Sequence, residues 1–214
     1  AVMEDPYPSY RYLRDADPIH YSNVLRSWVL TRYEDVRPCL NDQRLSADRI
    51  TPYLDRLSPG ARDRVSTVGP MLQNWAVFMD PPDHTRMRKL LNNGFTSTAL
   101  SEFRPKVEII VEEMIDRLVE KGAAGAEIDF IDSFAYHLPA TVIAVMLGVP
   151  ESDVEQFRAW SEDLAPFVGS ATDTPNKVRL AESSSRALTE YFAGIIEARR
   201  RNPPQPEDIT VIDH

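Results

Sequence analysis

A single cysteine, Cys39, leaves this 214-residue chain without a partner for an intrachain disulfide. It also excludes any zinc or iron–sulfur site built from several thiolates, and it fits a reducing, cytoplasmic setting. No apolar run approaches the roughly 20 residues that a membrane-spanning helix needs. The start, Ala1 to Tyr10, is acidic, aromatic and proline-bearing, so no charged-then-apolar leader is expected there. Positive charge is in short supply: the formal net charge is -9 and the pI is near 5.0. Such a balance argues against a nucleic-acid partner, whose phosphates it would repel. What remains is ordinary for a globular protein, with 43% hydrophobic and 27% charged residues.

The pattern along the chain is mainly α, with one small β-hairpin near the start. A proline-rich leading arm carries a short aromatic helix from Tyr7 to Leu13. Two extended runs around Asn23–Arg26 predict a hairpin over 19–31, and a helix follows from Tyr33 to Leu40. The stretch from Asp42 to Asn74 reads as irregular, part of a long loop over 42–79 of the kind that is often functional or mobile. A helical region is expected over 80–202. Asp80 is a candidate N-cap with Pro81 in the first helical position, and Met87, Leu90, Leu91 and Phe95 form the apolar stripe of that helix. Val107, Ile110, Val111, Met114 and Leu118 predict the next helix, stopped by Gly122. Phe130 to Leu147 is apolar nearly all round, which predicts a buried central helix bent at Pro139 and ended by Gly148 and Pro150. Asp153 opens a helix with Phe157, Trp160, Leu164 and Phe167. The last helix carries Leu188, Tyr191, Phe192, Ile195 and Ile196 and closes on Arg199 to Arg201, whose cations suit its C-terminus. A proline-bearing tail occupies 203–214.

The chemistry concentrates in Met79-Asp80-Pro81-Pro82-Asp83-His84-Thr85-Arg86-Met87-Arg88-Lys89-Leu90. On a helix, His84 and Arg88 stand four apart and project from one side. An imidazole and a permanent guanidinium on one stripe make a clamp for a carboxylate or phosphate. On chemistry alone, a solvated helix face with a capping histidine accounts for the same residues equally well.

This segment closely resembles the C-helix signature of bacterial cytochromes P450, an Asp-Pro-Pro-acidic-His-Thr-Arg-x-Arg run with a Phe-Thr pair beyond, here Phe95-Thr96. The order of elements from Tyr7 to Asp208 is similar to helices A to G of that fold, so the chain resembles the amino-terminal half of a soluble bacterial P450. The resemblance implies a haem (heme) cofactor whose propionates are held by His84 and Arg88. It implies a small hydrophobic, natural-product-like substrate oxidised with O2 and electrons from a ferredoxin-type redox partner. Arg86 and Lys89 become candidates for the contact with that donor, although plain solvated charge explains them more simply. Leu72, Trp75 and Val77 in the loop and Phe167 and Val168 in the lid become candidate substrate contacts, with 42–79 as a substrate gate. Each of these apolar residues also suits an ordinary core.

The same resemblance identifies what is not here. The family's thiolate lies in a Phe-Gly-rich loop, and Cys39, in Arg37-Pro38-Cys39-Leu40-Asn41, does not match it. The oxygen-activating helix and the Glu-x-x-Arg helix are likewise unmatched. His137 reads as a core residue, His20 lies at the hairpin, and His214 is terminal, so no metal ligand and no catalytic residue is expected in this chain. The leading expectation is half of a haem-dependent monooxygenase, inactive alone. The alternative is a catalytically dead P450-like helper subunit, such as those that assist glycosyltransferases. A generic helical binding module would leave the His-Thr-Arg-x-Arg run unexplained.

Overall fold

The computed structural model describes residues 5–123, 125–169, 176–204 and 210–211. The chain divides into two compact units, residues 1–47 and 48–214.

The first unit holds α1 (Tyr7–Ala16), β1 (Ile19–Ser22), β2 (Ser27–Leu30) and α2 (Tyr33–Cys39). Proline suits the first turn of α1, where its missing N–H has no helical partner to lose. The hairpin is antiparallel, with Tyr21 opposite Trp28 and their rings edge-on at 5.3 Å. Such cross-strand aromatic pairs are what stabilise a two-stranded ribbon. Arg26 takes a left-handed φ of 51° in the connection. Thr31 donates from both its N–H and its hydroxyl to the Pro18 carbonyl, closing the base of the hairpin.

The second unit is helical: α3 (Ile50–Asp55), α4 (Pro59–Asp63), α5 (Val68–Gln73), α6 (Asp83–Gly94), α7 (Ser97–Ala123), α8 (His137–Met146), α9 (Val154–Gly169) and α10 (Lys177–Arg201). The mainly α architecture with one early hairpin is as the sequence predicts. Residues 42–74 are irregular only in part. Three short helices lie there, and Leu54, Val65, Val68 and Leu72 from this stretch enter the core with Phe78, Leu164, Ala181 and Leu188. Helices of one or two turns are too short to display a period, and they persist because packing rather than propensity holds them. Asp48 helps locally, accepting the N–H groups of Ile50 and Thr51 at 3.0 and 2.9 Å.

Two other expectations need correction. The helix α6 begins at Asp83, not Pro81, after a cis Pro81–Pro82 bond. A residue that precedes proline is disfavoured from the helical region, so Pro81 is a poor helix starter. Pro82 rather than Asp80 takes the N-cap position, and the Asp80 backbone carbonyl accepts the His84 N–H at 3.0 Å. The apolar run 130–147 is also not one buried helix. A π-helical turn spans Ile131–Ala135, and α8 starts after it; Pro139 has no N–H to continue the ladder across this junction. Ala144 is buried in this segment, against Tyr191 and Phe192 of α10 among others, while Ile131 is 66% and Ile143 52% exposed. Its end follows expectation. Gly148, at φ 72°, donates to Val145 O, and Val149 donates to Ala144 O, a Schellman stop that requires the left-handed residue.

Candidate functional site

Two features of the second unit carry chemistry. The first is the exposed stripe of α6. His84 is half-buried and Arg88 exposed, one turn further along. Neither side chain makes a hydrogen bond or ion pair among the described residues. A four-residue step rotates by about 40° and rises about 6 Å, so both donors face one region. The five N–H donors of the planar guanidinium, plus an imidazole nitrogen, suit an oxyanion better than a single point charge does. Arg86 and Lys89 project from other sides of the helix and border a shallow depression with Pro81, Pro82, Thr85 and Leu90. Arg86 lies 3.8 Å from Asp83, both well exposed, so that pair contributes little.

The second feature is an apolar cavity of about 920 Å³ between the end of α5 and the facing sides of α9 and α10. Met71 and Trp75 form one wall. Phe157, Leu164 and Val168 come from α9, and Leu188, Phe192 and Ile196 from α10, spaced four apart along one face. Of the expected substrate contacts, the structure brings Trp75 and Val168 into this wall. Leu72 is 1% exposed and belongs to the core beside it, because the turn that aims Met71 outward aims Leu72 inward. Phe167 turns away from the cavity and meets Tyr53 edge-on at 6.5 Å. Val77 is 63% exposed in a 3₁₀ turn (Ala76–Phe78) and lines nothing here. Sequence reasoning missed Met71 and named Leu188, Phe192 and Ile196 only as residues of the last helix; their four-residue spacing was the available signal.

The cavity walls are tied together by Glu182 of α10. Its carboxylate accepts the Thr67 N–H and the Val68 N–H at 2.9 Å and the Ser66 hydroxyl at 3.1 Å. Arg186 adds a contact at 3.4 Å. Burial pushes this carboxyl upward, but the hydrogen bonds from Val68, Thr67 and Ser66 outweigh it and hold the group below the usual range. Near the other end of the wall, the Tyr191 hydroxyl donates to Asp153 at 2.8 Å. Burial first, and then that acceptor, push Tyr191 up to about 12.

Cys39 sits half-buried at the end of α2, in the first unit. Among the described residues, no three metal-ligating side chains cluster, and no helix is long and apolar enough to cross a membrane.

No family model matches the chain. Individual relatives do. Cytochrome P450 107B1 of Saccharopolyspora erythraea is 34% identical over 210 residues, covering 95% of this chain and 48% of that protein. Putative cytochrome P450 YjiB of Bacillus subtilis is 31% identical over 202 residues, covering 94% of this chain and 46% of that one. The crystal structure of P450BioI in complex with an acyl carrier protein ligated to hexadec-9Z-enoic acid superposes with a TM-score of 0.82 at 25% identity, over 97% of this chain and 51% of that one. The chain thus spans about half the length of the curated relatives it matches.

Proposed function

The chain belongs to the cytochrome P450 family, and we propose that in the complete protein it supplies the propionate clamp and the apolar substrate wall of a haem-dependent monooxygenase. The observation that carries this is the pair of unpartnered donors on one stripe of α6. His84 and Arg88 are ready for two carboxylates and have nothing else to bind among the described residues.

The residues present fit the periphery of a haem but not its iron. A propionate needs charge and N–H donors, which His84 and Arg88 provide. An iron thiolate needs a deprotonated cysteine, and Cys39, on a helix end in the first unit, is not that group. The iron ligand is therefore assigned to the part of the family's length that this chain does not span. Haem held there would supply the oxygen chemistry, one atom of O2 going to the substrate and the other leaving as water with two electrons and two protons. This chain's residues hold the cofactor's carboxylates, keep water from the reacting region and shape the pocket.

An apolar wall of Trp75, Phe157, Val168 and Phe192 suits a small hydrophobic, natural-product-like substrate. The neighbour captured with a fatty-acyl carrier protein supports an apolar chain as one form of it. Arg86 and Lys89 are exposed cations that an acidic, ferredoxin-type electron donor can use for docking. A cytoplasmic setting completes the reading, consistent with one unpaired cysteine.

The test is the carbon-monoxide difference spectrum of the reduced protein expressed from its complete gene. A band at the thiolate-ligated position is expected. Purified protein with no haem absorbance would overturn the monooxygenase and favour the helper subunit.

A further inference from the structure

The helix α5 has no cap of its own. Thr67, in its N-cap position, makes no side-chain cap hydrogen bond, and the N–H groups of Thr67 and Val68 find no carbonyl in their own segment. The acceptor for both comes from Glu182, 115 and 114 residues later on α10. Both carboxylate oxygens are used, and the Ser66 hydroxyl adds a third donor. Orphan helix-start amides and a carboxylate are a natural pair, since the start of a helix carries partial positive charge. What is unusual is that the carboxylate belongs to the opposite wall of the apolar cavity. About two and three turns beyond Glu182 along α10, Leu188 and Phe192 face that cavity, and about one turn beyond Val68 along α5, Met71 faces it too.

We propose that Glu182 is the positioning residue of the cavity: by gripping Ser66, Thr67 and Val68 it sets the spacing between the Met71–Trp75 wall and the α10 wall, and so tunes which apolar ligands fit. Glu182 does not line the cavity and touches no ligand in it. Covalent continuity cannot do this job, because the two segments are over a hundred residues apart. Buried apolar contacts around Val68 and Ala181 hold them together but do not fix their register along the helix axis. Hydrogen bonds to three successive residues do, because each is directional. A carboxylate also serves this site better than an amide. In glutamine one oxygen can still accept the Thr67 and Val68 N–H groups, but the NH2 then faces the Arg186 guanidinium, which only donates, and the Ser66 hydroxyl, which must turn round to accept.

The inference rests on reading the cavity as the substrate wall, and its test keeps the two separable. Protein expressed from the complete gene is prepared as wild type, E182A, E182Q, E182D and the milder S66A. Nile red serves as the apolar probe, read by fluorescence titration, and amide exchange at Thr67 and Val68 is followed by mass spectrometry. E182A is expected to weaken Nile red binding about tenfold, with E182Q nearly as weak and E182D and S66A closer to wild type, a tenfold change being about 1.4 kcal/mol. Exchange at the two amides is expected to accelerate at least about tenfold in E182A and E182Q, by the same conversion. The haem band is expected to stay unchanged in every variant, since His84 and Arg88 are untouched. Faster exchange and a lower Tm with unchanged Nile red affinity would reduce Glu182 to a purely structural cap and overturn the proposal. E182Q matching wild type in both readouts would overturn it as well. If E182A does not fold, E182Q and S66A still decide. A missing haem band in wild type would refute the monooxygenase reading alone, because probe binding and exchange do not depend on iron.

Discussion

Replacing Leu72 with alanine separates the core from the cavity. Leu72 is 1% exposed and packs within the cluster of Leu54, Val68, Phe78 and Leu164. The change removes three carbons, about 2.4 kcal/mol at roughly 0.8 kcal/mol per buried methylene. A partly collapsed void of about 40 Å³ adds about 1 kcal/mol at roughly 24 cal/mol per Å³. The expected loss is therefore about 3.5 kcal/mol, inside the range of about 2–5 kcal/mol for buried leucines. With a urea m-value of about 2.5 kcal/mol/M, the unfolding midpoint drops by about 1.4 M. The assay is a urea melt of the 214-residue chain at micromolar concentration, followed by circular dichroism. Trp75→Ala is the contrast. Trp75 lines the cavity and stacks on Phe78 at 6.2 Å, so its loss is expected to weaken Nile red binding about tenfold, as about 1.4 kcal/mol of lost indole contact implies. L72A is expected to leave the affinity of folded protein within about twofold, a difference under about 0.5 kcal/mol. A midpoint shift below about 0.5 M, together with lost probe affinity, would show that Leu72 is a ligand contact and that this division is wrong.

Other perturbations probe the remaining features. Arg88→Ala and His84→Ala should lower haem retention in the complete protein while changing chain stability by under about 0.5 kcal/mol, since neither side chain is fully buried or has a polar partner among the described residues; unaltered haem content after gel filtration would remove them from the clamp. Tyr191, raised to about 12, keeps its proton longer folded than unfolded. The stability it contributes is thus whole below pH 10 and lost as pH climbs from about 10 to about 12. Alkaline melts of Y191F should lack that component, and identical pH profiles for the two proteins would refute the assignment. Ile109, Val119 and Ile143 are 55%, 62% and 52% exposed on α7 and α8. The chain alone should therefore self-associate at tens of micromolar, the behaviour of large exposed apolar surface; sedimentation of a clean monomer with a cooperative melt would contradict it.

How far the sequence could be read depended on length. The helices α7, α9 and α10 were visible because each repeats an apolar face over several turns. The hairpin was visible because Tyr21 and Trp28 sit in short alternating runs. The helices α3, α4 and α5 were not, since five or six residues offer no period, and Asp48 and Glu182 cap from outside the helices themselves. At α6 the second proline moved the start to Asp83, and His84 and Arg88 still stand one turn apart on that helix. Of the candidate substrate contacts, Trp75 and Val168 line the cavity, whereas Leu72, Val77 and Phe167 lie outside its lining.

The amino-acid sequence alone determined that His84 and Arg88 share a stripe, because any α-helix brings residues four apart to one side whatever packs around it. It likewise determined which long segments are amphipathic. Only the tertiary structure decided which side of α5 meets the core and which meets the cavity, turning Leu72 inward and Met71 outward. It alone brought Glu182 to Thr67 and Val68. The physical reason is range. Helical geometry is local and repeats every few residues, whereas the choice of face, and a hydrogen bond spanning more than a hundred residues, exist only once the helices have packed.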